Sequence, residues 1–351
     1  TQDLPDKESA TMFFQDCKLS HQAQITGISH SVKEILPPDL LDLTQLQKEA
    51  NIRYGYTASE VYDIAQSLYE KKLISYPRTS SRYLTEDVFD SLSPIMARLL
   101  SWELFPAAKG TGGIDISSLS RHVISAEKAN VHHAIIITGI RPGNLSEKEM
   151  QVYRLVAGRM LETFMAPCRI ETTNVEAVCA AQHFKAEQTR IIEAGWHDVF
   201  MRSDMVPKSG YSVNELPEVK KGDNLNVCGC NMVHKKELPV DPFTDAELVE
   251  YMELNGLGTV SSRTNIIRTL VNRKYIRYSG KYIVPTPKGM FTYETIRGKK
   301  IADTSLTADW EKQLAGLESG MITGQDFLNR IRTLAKEMTD DIFNTYSTKE
   351  E

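Results

Sequence analysis

Apolar side chains recur at helical spacing along most of the chain and at alternating spacing in its middle third. Leu43, Leu46 and Ala50 share one face of a helix that begins near Leu40 and stops near Gly55. Thr57-Ala58-Ser59-Glu60 is a capping box, in which the hydroxyl and the Glu satisfy each other's end of a new helix. Val61, Ile64, Ala65 and Leu68 follow at i, i+3, i+4 and i+7, so one stripe is buried and the helix delivers Tyr76 at its far end. Ser146-Glu147-Lys148-Glu149 opens another helix, which buries Met150, Tyr153, Ala157, Met160, Leu161 and Phe164 and ends at Pro167. A third box, Thr244-Asp245-Ala246-Glu247, starts the last domain after Pro242. Towards the end, Trp310, Leu314 and Leu317 form one helical stripe and Phe327, Ile331, Leu334 and Met338 another, which predicts core or domain-packing helices. The charged tail after Tyr346 is expected to fray.

The alternating texture runs from Glu171 to about Val240, with Val175, Ala177 and Cys179, then Phe184 and Ala186, then Leu225 and Val227. Turns at Lys208-Ser209-Gly210 and Lys221-Gly222-Asp223 separate the runs, which predicts an antiparallel β region. Residues 9 to 31 alternate more loosely (Met12, Phe14, then Gln24, Thr26) and predict two short strands, closed by Pro37-Pro38. Between 85 and 128, Pro94 and Pro106 break two short helical patterns. Lys109-Gly110-Thr111-Gly112-Gly113 reads as a flexible loop rather than a phosphate cradle, because no strand precedes it and no Lys-Thr/Ser pair follows.

One segment recurs. Leu68-Tyr69-Glu70-Lys71-Lys72-Leu73-Ile74-Ser75-Tyr76 runs parallel to Leu270-Val271-Asn272-Arg273-Lys274-Tyr275-Ile276-Arg277-Tyr278, each at the end of an amphipathic helix. After the second copy, Ser279-Gly280-Lys281 is a hairpin turn and Tyr282-Ile283-Val284 a return strand, so the pattern predicts two helix-and-wing modules. Tyr278 is then the counterpart of Tyr76, with Gly280 where Tyr76 has Arg78, and no catalytic role is expected of it.

Composition changes this picture little. A chain of 351 residues with 41% hydrophobic and 25% charged residues forms two or three globular domains and gives no reason to expect disorder. Thr1 to Glu8 is polar and acidic, without the apolar core of a signal peptide, and no apolar run is long enough for a bilayer. The five cysteines (Cys17, Cys168, Cys179, Cys228, Cys230) form no CxxC pair, so neither a zinc ribbon nor a disulfide framework is indicated and a reducing cytoplasm fits. A formal charge of −5 excludes a uniformly basic coat. Any nucleic-acid contact must come from locally concentrated Arg and Lys in a narrow groove.

The candidate chemistry sits in Leu73-Ile74-Ser75-Tyr76-Pro77-Arg78-Thr79-Ser80-Ser81-Arg82-Tyr83-Leu84. A phenol, with a reference pKa near ~10, is a poor nucleophile at neutral pH unless a cation holds the phosphate and a base takes the proton. Arg78 suits the first task, since guanidinium is always charged and matches phosphate oxygens. The residues alone favour the plainer reading, in which Tyr76 packs its ring and Arg78 caps a helix. The second stretch is Asn130-Val131-His132-His133-Ala134-Ile135-Ile136-Ile137-Thr138. Adjacent histidines diverge and no third ligand sits at metal spacing, so a structural histidine under an apolar strand competes with a functional one.

The first stretch resembles the nucleophile motif of type IA DNA topoisomerases, in the Tyr-Pro-Arg form of the topoisomerase III branch. The second is similar to that branch's His-His-Ala-Ile-Ile-Pro-Thr motif. Asn255-Gly256-Leu257-Gly258-Thr259-Val260-Ser261-Ser262-Arg263-Thr264-Asn265-Ile266-Ile267 resembles the family's Gly-(Leu/Ile)-Gly-Thr-Pro-Ala-Thr-Arg-x-x-Ile-Ile, and Leu145-Ser146-x-x-Glu149 and Glu193-Ala194-Gly195-Trp196 match in order and spacing. The chain departs from the pattern at Ser80 (often Asp), Asn130 (often acidic), and Ile137 and Val260 (both usually Pro). The resemblance implies that Tyr76 is the nucleophile, left joined to the 5′ end of a broken single strand, with Arg78 and His132 on the scissile phosphate. Thr259, Ser261, Ser262, Arg263 and Arg82 are the expected DNA-binding set, through hydroxyls, helix-start amides and charge.

The implied fold is α+β and multidomain, with mainly helical, winged-helix-like modules joined by an antiparallel β arch. Its expected domains are 1–37 and 169–242 as the two parts of the arch, 38–168 as the inserted tyrosine domain, and 243–346 as a helical strand-binding domain. The implied activity is ATP-independent cleavage and rejoining of single-stranded DNA with strand passage, which relaxes negative supercoils and decatenates. Mg²⁺ is the implied cofactor, with its ligands in a Toprim domain and a Gly-Arg-Val-Gln segment that are absent here and would precede Thr1; this chain alone is expected to bind no metal and to be inactive. The expected partners are single-stranded DNA and that domain of the same polypeptide, in a monomer without membrane contact in a bacterial cytoplasm, on the chromosome. Two other readings compete. A tyrosine recombinase would carry His-x-x-Arg and a late tyrosine, whereas Tyr76 precedes His132. A non-catalytic winged-helix DNA-binding protein would carry a basic recognition helix, whereas Glu60 to Lys72 is mixed in charge.

Overall fold

The computed structural model describes residues 6–102, 104–105, 119–129, 132–200, 216–233 and 240–347. The loop at 109–113, Pro106, Asn130, the turn at 208–210 and the tail beyond 347 lie outside them. Two compact units emerge, one of residues 1–38, 103–120 and 160–240, the other of residues 39–102, 121–159 and 241–351.

The first unit holds α1 (Lys7–Leu19), β1 (Gln22–Ile35) and the antiparallel strands β2 (Cys168–Cys179), β3 (Gln182–Glu193) and β4 (Asn224–Asn226) in the order β3-β2-β1-β4. β1 pairs along its length with β2, from Gln24 opposite Val178 to Ile35 opposite Cys168. The opening segment thus joins the later β region, as the two-part arch of the resemblance implied, but its first half is a helix rather than a strand. The reason is a cap and a period: Asp6 accepts from Ser9 N at 2.8 Å, and the inward residues are Ala10, Phe13, Phe14 and Cys17 at i, i+3, i+4 and i+7, while Met12 is exposed. Cys17 lies against Cys179, its Sγ 3.7 Å from the Cys179 carbonyl oxygen, and burial beside that second thiol pushes its pKa up to about 11.

The chain leaves β3 through Gly195, whose φ is +52°. Trp196 N donates to Ala166 O at 3.0 Å and Trp196 Nε1 to Ile35 O at 3.0 Å, so one buried residue closes the junction onto both flanking segments.

The second unit is helical: α2 (Leu43–Tyr54), α3 (Ala58–Glu70), α4 (Glu86–Asp90), α5 (Leu92–Ser101), α6 (Ala126–Ala129), most of α7 (Glu147–Phe164), α8 (Asp245–Leu254) and α9 (Val260–Asn272). All three expected capping boxes are present, at Thr57/Glu60, Ser146/Glu149 and Thr244/Glu247. Ala58, Val249, Met252 and Ile267 form a core shared by α3, α8 and α9. Pro94 does not break its helix but sits in the first turn of α5, where a missing N–H costs nothing; the break falls at Ser91.

The sequence repeat is a structural repeat at the helix ends. Lys72 N bonds Tyr69 O and Leu73 N bonds Leu68 O; Lys274 N bonds Val271 O and Tyr275 N bonds Leu270 O. Both lysines are left-handed, at φ 59° and 61°, closing the same turn. After it the copies differ. The second continues into the hairpin β5 (Ile276–Ser279) and β6 (Tyr282–Pro285), whereas the first pairs Ile74 with the distant Ile137. The chain then runs through α10 (Pro287–Ile296), α11 (Thr304–Glu318) and α12 (Gly324–Ser347). The two terminal stripes are helical as their spacing predicts but not deeply buried: Leu314 is exposed and Phe327, Ile331, Leu334 and Met338 are half-buried. Periodicity reports a face, not the depth of what covers it. Among the described residues no helix is long and apolar enough to cross a membrane.

Glu149 ties the start of α7 to the end of α3, accepting from Ser67 Oγ at 2.7 Å and pairing with Lys71 Nζ. Lys71, Ser67 and the capped Ser146 amide together hold its carboxyl well below the usual range, at about 2. A depressed folded pKa means stability that is complete above the unfolded value and lost as pH falls. Acidification from 4.5 to about 2 should therefore erase this contribution in the wild type. Glu149→Ala should lower stability by about 1–2 kcal/mol at neutral pH, and wild-type and variant unfolding curves measured down that pH range should converge.

Candidate active site

Tyr76 leaves α3 on a short extended segment whose place is set by the His132–Thr138 stretch. Ser75 N donates to Ile136 O at 2.8 Å; Ser75 Oγ accepts from Ile136 N at 3.0 Å and donates to Ala134 O at 3.1 Å. Thr138 N donates to Leu73 O at 3.1 Å, and Thr79 Oγ1 donates to His132 O at 3.0 Å. Ile74 and Ile137 form an antiparallel bridge between the two stretches.

The clamp brings the two rings into contact: the Tyr76 and His132 centroids are 4.4 Å apart with the planes tilted by 42°, and Tyr69 meets Tyr76 edge-on at 5.4 Å. Tyr76 is half-buried and His132 exposed. Arg78, two residues on, lies over the Tyr62 ring at 5.0 Å and donates from Nη2 to Gln66 Oε1 at 3.3 Å. Its Nε is buried without an acceptor, and among the described residues Nη1 has none either. Tyr76 and Arg78 thus each meet side chains of α3, Tyr76 through Tyr69 and Arg78 through Tyr62 and Gln66, and His132 meets Tyr76. Among the described residues no group of three or more His, Cys, Asp or Glu could hold a metal; His133 Nδ1 instead contacts Ala134 O at 2.7 Å.

The second set is less available. Ser261 is exposed at the start of α9, which packs on α3. Ser262 Oγ accepts from Thr259 N at 2.8 Å, so both residues are engaged in a local cap. Arg263 is 8% exposed, with Nη1 3.3 Å from Glu253 Oε1 and 3.3 Å from Thr44 Oγ1. Arg82 pairs with the buried Asp42 at 2.7 Å. Neither guanidinium is free for a phosphate as it stands.

Sequence reasoning missed Tyr62, Gln66 and Tyr69. They recur at i, i+4 and i+7 beside the apolar Val61-Ala65-Leu68 stripe, so α3 carries a second stripe, polar and aromatic. Tyr278, the counterpart of Tyr76, is half-buried beside the buried Asp245 carboxylate. Burial and that neighbouring carboxylate push the Tyr278 phenol upward, away from nucleophile character.

These arrangements have parallels. The family model described as DNA topoisomerase matches residues 1–329. DNA topoisomerase 3 of Bacillus licheniformis is 31% identical over 344 residues, covering 91% of this chain and 47% of that protein; the Bacillus subtilis protein of the same name is 30% identical over 355 residues, covering 93% and 48%. The chain therefore spans about half the length of the curated relatives it matches. In fold it is similar to full-length topoisomerase I of Thermotoga maritima, with a TM-score of 0.73 at 23% identity, covering 96% of this chain and 55% of that one. On a match extending over residues 1–329, with the tyrosine and arginine of its motifs meeting side chains of one helix and the histidine meeting the tyrosine, the chain belongs to the DNA topoisomerase family, on the type IA branch.

Proposed function

We propose that the whole protein changes DNA topology by transesterification, and that residues 1–351 supply its nucleophile. Tyr76 attacks a phosphate of single-stranded DNA, the 3′ hydroxyl leaves, and the 5′ phosphate stays on the phenol oxygen. The bond energy is conserved in the phosphotyrosine, so reversal reseals the strand without ATP. Arg78 and His132 hold the phosphate charge, which grows on the non-bridging oxygens in the transition state. The observation that carries this reading is the 4.4 Å contact of the Tyr76 and His132 rings, with Arg78 held by Tyr62 and Gln66 on the helix that leads to Tyr76. The four-stranded antiparallel sheet acts as the arch that opens for the passing strand. Residues 243–346 form the winged-helix-like strand-binding module, where Thr259 and Ser261 meet phosphates and Arg82, Ser262 and Arg263 join them when their present partners let go. The protein works as a monomer in the bacterial cytoplasm.

The family resemblance implies Mg²⁺, but the donor set among the described residues does not fit it. Its carboxylates are assigned to a Toprim part of a longer chain, and no step above passes through it. Accordingly, residues 1–351 alone should bind single strands weakly and give little cleavage.

The test is an end-labelled single strand mixed with the whole protein and resolved under denaturing conditions. A covalent product whose label maps to the Tyr76 peptide is expected, and its absence would refute the reading. A gel shift distinguishes the non-catalytic alternative, which predicts tighter binding of duplex than of single strands. Tyr278→Phe should keep cleavage within about threefold of wild type, since a phenol whose pKa is raised by burial and a neighbouring carboxylate is a poor nucleophile. A collapse of cleavage would overturn that assignment.

A further inference from the structure

The Arg78 side chain is held from α3 on two sides. Its guanidinium carbon lies 5.0 Å from the centre of the Tyr62 ring, and its Nη2 donates to Gln66 Oε1 at 3.3 Å. The Gln66 amide is itself oriented, because Nε2 donates to Glu70 Oε1 at 2.9 Å. That orientation follows from chemistry: guanidinium only donates and carboxylate only accepts, so the amide oxygen must face Arg78 and its NH₂ must face Glu70. Tyr62, Gln66 and Glu70 stand at successive i, i+4 positions on one face of the helix that leads to Tyr76. The chain Glu70–Gln66–Arg78 therefore fixes the roll of the guanidinium, and the Tyr62 face fixes its plane. Nη1, which has no acceptor among the described residues, is left for a ligand.

We infer that Tyr62 and Gln66 are positioning residues that set the guanidinium of Arg78 for a phosphate oxygen, and that a neutral amide at position 66 is required because it holds the cation without neutralising it. The inference rests on the proposed strand-cleaving function and adds two residues to it. A flexible guanidinium would meet the phosphate in many geometries; one held on two sides has less freedom left to lose. A carboxylate at position 66 would compete with the phosphate for the same cation.

The experiment uses the whole protein, single-turnover formation of the tyrosine-linked product, and a thermal unfolding curve for each variant. Tyr62→Leu and Gln66→Leu should each lower cleavage by about tenfold, the scale of coupling between contacting residues. Tyr62→Phe, which keeps the ring, should recover most of what Tyr62→Leu loses. In an Arg78→Ala background both Leu substitutions should cost less than about twofold, since nothing remains to position. Gln66→Glu, which keeps the shape, should raise the DNA concentration needed for half-maximal cleavage by about tenfold. Losses that persist in full in the Arg78→Ala background, or a Gln66→Glu protein indistinguishable from wild type, would overturn the inference. Tyr76→Phe run in parallel separates the readings. Covalent product surviving that change defeats the proposed function itself, whatever Tyr62 and Gln66 do.

Discussion

Tyr76→Phe in the whole protein is expected to reduce the covalent DNA product by roughly a thousandfold or more, to the assay's background, because the oxygen removed is the atom that joins the phosphate. Nothing else about the site should change. The phenyl ring keeps its tilted contact with His132 and its edge contact with Tyr69, and no intramolecular hydrogen bond to the Tyr76 oxygen exists among the described residues. Folding and single-strand binding should therefore stay close to wild type, while cleavage and rejoining disappear together. Gel shifts, unfolding curves and the denaturing-gel assay on the same preparation separate these quantities. Loss of binding along with cleavage would mean that the phenol oxygen grips the strand rather than attacking it.

Gly195→Ala should be the most damaging small change to the fold, lowering stability by about 3–5 kcal/mol through backbone strain and overpacking. The left-handed φ of +52° already penalises a side chain there by about 1 kcal/mol. The rest is collision: a β-carbon would lie 2.3 Å from Pro167 O and 2.4 Å from Ala166 O, both main-chain atoms. Neither can retreat cheaply, since Ala166 O accepts the Trp196 amide and the Trp196 ring is bonded to Ile35. Gly222→Ala is the control, having φ +95° and no atom within 4 Å of its added carbon, so it should cost only the conformational part. Thermal unfolding should show Gly195→Ala about 10 °C below wild type and Gly222→Ala within a few degrees. Equal shifts for the two would remove the collision from the explanation.

Much of this protein was legible along the chain because local signals act locally. A hydroxyl followed three residues later by Glu satisfies a helix end wherever it occurs, so Thr57, Ser146 and Thr244 announce α3, α7 and α8. The copied turn at Lys72 and Lys274 is likewise a helix-end device that needs only its own residues. At residues 9–31 the signal misled, because Met12 and Phe14 suggested alternation while Ala10, Phe13, Phe14 and Cys17 carried the true period. An apolar pair two apart is compatible with both patterns, and the Asp6 cap decides between them.

The sequence by itself determined the nucleophile candidate, its cation and its histidine, the capped helices, the pairing of the opening segment with the later strands, and the family. Only the tertiary structure decided what those groups touch. It placed the His132 ring on Tyr76, braced Arg78 on Tyr62 and Gln66, and engaged Arg263 and Arg82 with Glu253 and Asp42. The physical reason is range: caps and periods follow from bonds between neighbours, whereas the freedom of a charged side chain depends on whichever distant segment the fold lays beside it.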